Sequence, residues 1–296
     1  MKTYTTGETI RLHNTVVALG KFDGIHAGHQ ILLHVLWQER SEYSPVLFSF
    51  DTANVFHKDV LTTREERQWL AEQSGVEHLI FYPVTHETMN MEPEAFISQI
   101  LCEKLDAKVV VTGEDFMFGK GRRGDVNMLK KYSAQYGYKE VTVPAKLYLN
   151  EKISSSRIKN LIETGNLEDA EKMLGYKYFI MGKVNKGRQI GRSIGIRTIN
   201  LKKPDGKVLP PNGVYATYTV IEGKTYKSIT NIGINPTVTD ENQIVIETNI
   251  FDFDQDVYDK TVQVYFRFFI REEQKFESLE KLRAQIEIDV QVAQNT

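Results

Sequence analysis

The stretch 20–30, GKFDGIHAGHQ, decides the fold. It follows an apolar run, TVVAL (15–19), and opens a helical pattern, QILLHVLWQER (30–40). Four further β-rich runs succeed it: PVLFSF, EHLIFYPV, AKVVVTGEDF and KEVTVPA. Between them lie the helical patterns TTREERQWLAEQSG, EPEAFISQILCEKL and NMLKKYSAQYG. Near-continuous apolar strands separated by helices predict a parallel sheet covered on both faces. Thr62 with Glu65, or Thr63 with Glu66, spells a capping box for the second helix, and Gly75 and Gly137 stand where helix C-caps belong. The segment SSSRIKNLIETGNLEDAEKMLG (154–175) then reads as two short helices split at Gly165-Asn166.

After Gly175 the texture changes. YFIMGKVN, RSIGI, GVYATYTVIEG, KTYKSITNIG, IVIETNIFDF and TVQVYFRFFI are strand-like, with Gly, Asn and Pro at the turns. Only SLEKLRAQIEIDVQVAQ (278–294) is helical, with Ser278 as its N-cap. This pattern predicts a small antiparallel barrel with a terminal helix. The expected division is 1–178 for an α/β nucleotide-binding domain and 179–296 for the barrel.

The bulk numbers fit two soluble domains. The chain has 296 residues, 41% of them apolar, and a net charge of −2. No basic excess marks a nucleic-acid groove or an anionic membrane, so neither partner is expected. No apolar run approaches the ~18 residues that span a bilayer, and MKTYTTGETIRLHN has no apolar core of a signal peptide. A single cysteine, Cys102, makes no internal disulfide, which points to a reducing cytoplasm.

In an open parallel sheet, ligands bind beyond the carboxyl ends of the strands, where GKFDGIHAGHQ lies. Backbone N–H groups at a helix start attract an anion, and Gly24 and Gly28 let the chain approach it. His26 and His29 are three residues apart and present imidazole N–H donors to phosphate oxygens. The Walker pattern is absent, so the turn is not a P-loop. The plainer reading makes the glycines a turn and the histidines surface residues.

The F-D-G-x-H-x-G-H-Q form resembles the bacterial bifunctional riboflavin kinase/FAD synthetase family, within the H-x-G-H nucleotidyltransferases. VVVTGEDFMFGKGRRGD (109–125), ISSSRIKNLIETGNLEDAEKMLG (153–175) and GKVNKGRQIGRSIGIRTINL (182–201) resemble that family's further motifs. LPPNGVYA, NIGINPTV, IETNIFDFDQDVYDK and KFESLEKL continue the likeness in order. The resemblance implies phosphorylation of riboflavin to FMN by the C-terminal domain. It implies transfer of AMP to FMN by the N-terminal domain, giving FAD and pyrophosphate. ATP is the co-substrate of both steps and Mg²⁺ the expected metal.

By the same resemblance, His26 and His29 hold ATP phosphates and Gly20, Phe22, Asp23 and Gly24 shape the turn. Ser154, Ser155, Ser156 and Arg157 form a second phosphate clamp. Glu114, Asp115 and Phe116 contact nucleotide and flavin. In the barrel, Gly187, Gly191 and Arg192 belong to a flap over ATP, Thr198 and Asn200 bind the metal, and Glu247 is the base for the riboflavin hydroxyl. A serine run is otherwise a helix cap, and Glu247 an outward polar residue on an alternating strand.

Some positions depart from the family pattern. P-T-A-N reads RTIN, with Arg197 and Ile199; E-x-H reads ETN, with Asn249; Y-G reads YD, with Asp259; and F-D-P-H-P reads FDTAN (50–54). These changes favour FAD synthesis over the kinase. They also keep open a diverged paralogue that has lost its kinase, or a flavin-binding regulator without activity. Another H-x-G-H acceptor is disfavoured by the attached barrel.

Overall fold

The structure is a computed structural model and describes residues 1–5, 10–51, 59–185, 198–235 and 243–295. It divides into two compact units, Met1–Arg157 and Ile158–Thr296.

The first unit is built on six parallel strands: β1 (Lys2–Tyr4), β2 (Thr15–Gly20), β3 (Ser44–Asp51), β4 (His78–Pro83), β5 (Ala107–Gly113) and β6 (Lys139–Val143), in the order β1-β4-β3-β2-β5-β6. From β2 the chain winds outward through β3 and β4, then returns to place β5 on the other side of β2. The strand order therefore reverses between β2 and β5, and the crevice beyond their carboxyl ends is the natural ligand site of such a sheet. Val16, Val17, Ala18, Val109, Val110 and Val111 are almost wholly buried. That is the signature of strands covered on both faces, by α1 (Ala27–Glu39), α2 (Arg64–Gln73), α3 (93–104) and α4 (Val126–Tyr136). Helix α3 begins as a turn at Pro93–Ala95 and widens to π-helical pitch over Phe96–Lys104. A hairpin of β7 (Leu147–Tyr148) and β8 (Glu151–Lys152) leads to α5 (Ser155–Glu163).

The local signals are borne out at residue level. The capping box that forms is Thr63 with Glu66, not Thr62 with Glu65. Gly137 ends α4 at φ 73°, in the left-handed region. Gly165 has φ 81° and Asn166 caps α6 (Leu167–Leu174). The five predicted strands of the first domain all appear. The edge strand β1 and the hairpin do not stand out in the sequence, being two or three residues long.

The second unit holds the predicted barrel. It is closed and antiparallel, in the order β10-β13-β12-β11-β14-β9: β9 (Phe179–Asn185), β10 (Thr198–Lys202), β11 (Gly213–Ile221), β12 (Lys224–Asn235), β13 (Gln243–Ile250) and β14 (Thr261–Arg271). RSIGI lies outside the described residues. Helix α7 (Leu279–Gln294), capped by Ser278, lays Ala293, Ile286 and Val290 on Val214, Ala216 and Ile229. Arg271 of β14 grips the buried Asp289 of α7 with two nitrogens, Nε to Oδ1 at 3.0 Å and Nη2 to Oδ2 at 2.8 Å. Inside the barrel, Thr219, Ser228, Thr217, Thr230 and Thr248 form one chain of hydroxyl hydrogen bonds, 2.7–2.9 Å each. Each of these hydroxyls has a partner, which offsets the desolvation of a polar group placed where valine would otherwise fit.

Among the described residues, no helix is long and apolar enough to cross a membrane.

Candidate active site

The turn after β2 is bent hard. Phe22, Gly24 and Ile25 take φ of 51°, 87° and 35°. Positive φ is costly for a phenylalanine and more so for a β-branched residue, and it persists only where the surroundings enforce it. They do so here. Phe22 and Ile25 are buried, the Asp23 carboxylate accepts from the Leu61 and Thr62 amides at 2.8 and 3.1 Å, and the Gly24 amide donates to the Thr62 hydroxyl at 2.9 Å. Gly20 must lack a side chain because a Cβ there would lie 3.1 Å from the Phe22 ring.

His26 is the N-cap of α1, and its Nδ1 accepts from the His29 amide at 3.3 Å. A neutral ring that accepts at Nδ1 carries its proton on Nε2, which then serves as a donor. Gly28 makes this possible: a Cβ at that position would stand 3.2 Å from two atoms of the His26 ring. The His26 and His29 rings stack at 3.7 Å with an interplanar angle of 16°, and Phe22 packs on His29 at 5.0 Å. The structure thus brings the two histidines together at the helix start.

Both imidazoles are held neutral. Burial pushes His26 down to about 4, with Lys152 adding to the shift and Asp23 opposing it. Burial also lowers His29 well below its ordinary value, helped by His26 and then by the positive charges of Arg67 and Lys152. Nδ1 of His29 is buried and has no partner among the described residues. Two neutral rings can lie face to face without repulsion and still donate to an anion.

The serine segment meets this turn. The Ser155 hydroxyl donates to the Asp23 carbonyl at 2.8 Å, Ser154 caps α5 by accepting from the Arg157 amide at 3.3 Å, and Ser156 is exposed. Arg157 turns to the hairpin: its Nη1 donates to the carbonyls of Tyr148 (2.9 Å) and Glu151 (3.2 Å), and its Nε pairs with Glu151 at 3.3 Å. At the end of β5, Asp115 pairs with Lys152, whose bond holds the carboxyl below its usual range. Glu114 Oε1 accepts from the Ala145 amide at 3.2 Å. Phe116 joins a group of rings with Phe48, Phe50, Tyr82, Phe96 and Phe118 at the carboxyl ends of β3 and β4. The altered 52–54 segment lies outside the described residues.

Thr62, Arg67 and Lys152 also belong to this site, outside the motifs that mark it in the sequence. Arg67 carries a signal: with Leu70 and Ala71 it sits at i, i+3 and i+4 on the buried stripe of α2. A charge on an apolar stripe asks for a reason.

In the barrel, Thr198 and Asn200 share the face of β10 opposite the interior residues Ile199 and Leu201. Asn200 is directly across from Glu247, which is directly across from Asn231; Thr198 is across from Asn249. The pairing puts hydroxyl, amide and carboxylate oxygens side by side, all hard donors suited to Mg²⁺. Among the described residues no group of three His, Cys, Asp or Glu side chains forms a metal cage. A cavity of about 530 Å³ opens beside Thr198, walled by Ile250, Phe253, Asp254, Asp256 and Tyr258. Asp259, where the family pattern has glycine, takes φ 62°. Gly187, Gly191, Arg192 and Arg197 lie outside the described residues.

Comparison with known proteins agrees with this geometry. The FAD synthetase family model matches residues 9–157 and the riboflavin kinase family model residues 174–296. Bifunctional riboflavin kinase/FMN adenylyltransferases are similar over most of both chains. The protein from Escherichia coli K12 is 34% identical, covering 93% of this chain and 90% of that one. That from Bacillus subtilis is 34% identical over 94% and 91%, and that from Buchnera aphidicola 31% identical over 94% and 93%. Among solved structures, one described as a macrolide-efflux protein from Streptococcus pneumoniae superposes over 99% of both chains with a TM-score of 0.87 at 31% identity.

Proposed function

The chain belongs to the bifunctional riboflavin kinase/FMN adenylyltransferase family, and from that premise we propose that it makes FAD from riboflavin in two ATP-dependent steps. The observation that carries the second step is the stacked His26–His29 pair at the switch point of the sheet, closed by Ser155 on the Asp23 carbonyl. There a phosphate oxygen of FMN attacks the α-phosphorus of ATP, the bond to the bridging oxygen breaks, and pyrophosphate leaves. The Nε2–H of His26 and the amides at the start of α1 donate to oxygens on which charge grows. Ser156 and the start of α5 take the leaving pyrophosphate. Arg157 acts through the hairpin that it braces, and so through Lys152. The half-buried rings of Phe50, Tyr82 and Phe116 offer the apolar bed for the flavin, with Glu114 and Asp115 at its polar edge.

For the first step, Glu247 takes the proton of the riboflavin 5′-hydroxyl as that oxygen attacks the γ-phosphorus, releasing ADP. Thr198 and Asn200 would hold Mg²⁺, which when bound offsets the negative charge of the phosphates. Gly187, Gly191 and Arg192 belong to the flap of this site. We place the functional division at 1–178 and 179–296 and the protein in the cytoplasm, where flavin, ATP and reduced thiols coexist. A second reading, an adenylyltransferase with a weakened kinase, is favoured by Asp259: a non-glycine residue in the left-handed region beside the kinase cavity.

Paired variants test the assignment. His29→Ala lowers FAD formation from FMN by at least ~100-fold and leaves FMN formation from riboflavin within about twofold, whereas Glu247→Gln does the reverse. Loss of both activities in either variant, with the fold intact, contradicts two separate sites.

A further inference from the structure

Arg67 is an unusual residue to find at this place in the fold. It is only 5% exposed, and it lies at the carboxyl end of β3 behind the Gly20–His26 turn. Its Nη1 donates to the Ser49 hydroxyl at 2.9 Å, its Nη2 approaches the Thr62 carbonyl at 3.5 Å, and the Asp23 carboxylate stands 4.0 Å away. The same Asp23 oxygen already serves the Leu61 and Thr62 amides. Asp51, the other nearby carboxylate, is paired with Arg64. One donor of the guanidinium, Nε, is buried and has no partner among the described residues. Thr112 Oγ1, at the end of β5, and His29 Nδ1 are buried and likewise have no partner among the described residues. Buried polar atoms are rarely left unpaired unless something outside the chain completes them. A buried cation is rarer still, and its desolvation must be offset by fixed negative groups or by a ligand.

We propose that Arg67 is a positioning residue for adenylyl transfer: its buried guanidinium fixes the Gly20–His26 turn through Asp23 and sets a positive charge beside His29, the inner ring of the stacked pair. The proposal rests on the adenylyltransferase reading given above. Arg67 does not touch the reacting atoms. It acts by holding Asp23, which in turn anchors residues 61 and 62 and carries the carbonyl that Ser155 grips. Both halves of the phosphate site therefore meet at one residue, Asp23: its carboxylate binds the 61–62 amides and faces the guanidinium at 4.0 Å, and its carbonyl binds Ser155.

The charge has a second consequence. His29 faces His26 on its own helix, Arg67 from α2 and Lys152 from β8. Asp23 faces His26 and Arg67, Asp115 is paired with Lys152, and Asp51, Arg64 and Glu66 surround Arg67. Apart from burial, the positive neighbours keep His29 from taking a proton. Taking away one of them raises the pH at which His29 protonates. A protonated His29 stacked on His26 can no longer share the neutral face-to-face geometry.

The test is to compare wild type, Arg67→Met and Arg67→Lys in the intact chain. FAD formation from FMN, ATP and Mg²⁺ is measured from pH 5 to 9, and the imidazole ¹⁵N resonances of His29 are titrated without substrate. In Arg67→Met, kcat for FAD formation falls by about 10- to 100-fold, and both the acid limb of activity and the His29 titration move up by at least half a pH unit. Arg67→Lys keeps the charge, so its pH profile stays near that of wild type even where its rate is lower. Riboflavin phosphorylation is unchanged in all three. If Arg67→Met lowers the melting temperature and the rate but leaves the His29 titration and the acid limb unmoved, Arg67 is a structural brace only and the proposal is overturned. If Arg67→Met does not fold, Ser49→Ala, which takes the partner of Nη1 and keeps the charge, tests the positioning role: a slower kcat for FAD formation at an unchanged melting temperature supports the proposal, and any other outcome refutes it. If the wild type itself forms no FAD from FMN, the underlying reading fails, while the titration still decides the electrostatic role of Arg67.

Discussion

At residue scale, the informative position of the H-x-G-H motif is its glycine. Gly28 has an ordinary helical setting, so backbone freedom does not explain it. The reason is the His26 ring, which folds back over the start of α1 to accept from the His29 amide and occupies the space of a side chain at 28. Gly28→Ala displaces that ring by a few tenths of an ångström, uncaps the helix and breaks the stack. We expect FAD formation to drop roughly 10- to 100-fold with little loss of stability, since one N-cap is worth about 1 kcal/mol. Steady-state kinetics beside a thermal melt checks this. Normal kinetics would mean that the stacked geometry has no part in the reaction. The histidine spacing was legible in the sequence as a common direction. The stacking and the cap were not, because they depend on a positive-φ turn that bulky Phe22 and Ile25 do not advertise.

At the scale of elements, the strands and helices of both halves were readable because period and turn chemistry agree with the fold at nearly every step. The apolar runs became β2 to β6, and Gly137, Asn166 and Ser278 sit at the predicted helix ends. What escaped were elements too short to carry a period, β1, β7 and β8, although Lys152 of β8 reaches the site. The turn before β14 shows where a departure from the family pattern meets the backbone. Asp259 holds φ 62° while its amide donates to the Val184 carbonyl at 3.0 Å. Glycine takes this conformation freely, and a side chain with a Cβ does so at a cost of roughly 1 kcal/mol. Asp259→Gly is therefore more stable than Asp259→Ala by about 1 kcal/mol in chemical denaturation. Equal stabilities would show that the turn relaxes out of the left-handed region.

At the scale of the whole molecule, the sequence separated two textures and the structure holds two units, each with its own chemistry-bearing face. The parallel sheet reverses its strand order at β2 and β5, and the motif residues converge there from positions 20–29, 61–67, 114–116 and 152–157. The barrel brings Asn200 and Glu247 level by strand register alone. Burial of neutral imidazoles also makes the first unit acid-sensitive. His26 binds a proton near 6.5 when unfolded and at about 4 when folded. Its contribution is complete above pH 6.5 and fades as the pH falls towards 4, a loss of about 3 kcal/mol. Denaturation followed from pH 7 to pH 4 should show it, and His26→Asn should flatten that slope; an unchanged slope would mean that the ring is solvated. The central claim is that the His26–His29 turn transfers AMP to FMN. Incubating the intact protein with FMN, Mg²⁺ and ATP labelled at the α-phosphorus tests it most directly. The account predicts label in FAD, with unlabelled pyrophosphate released in equal amount, and no labelled FAD from His29→Ala. A folded wild-type protein that leaves the label entirely in ATP would contradict it.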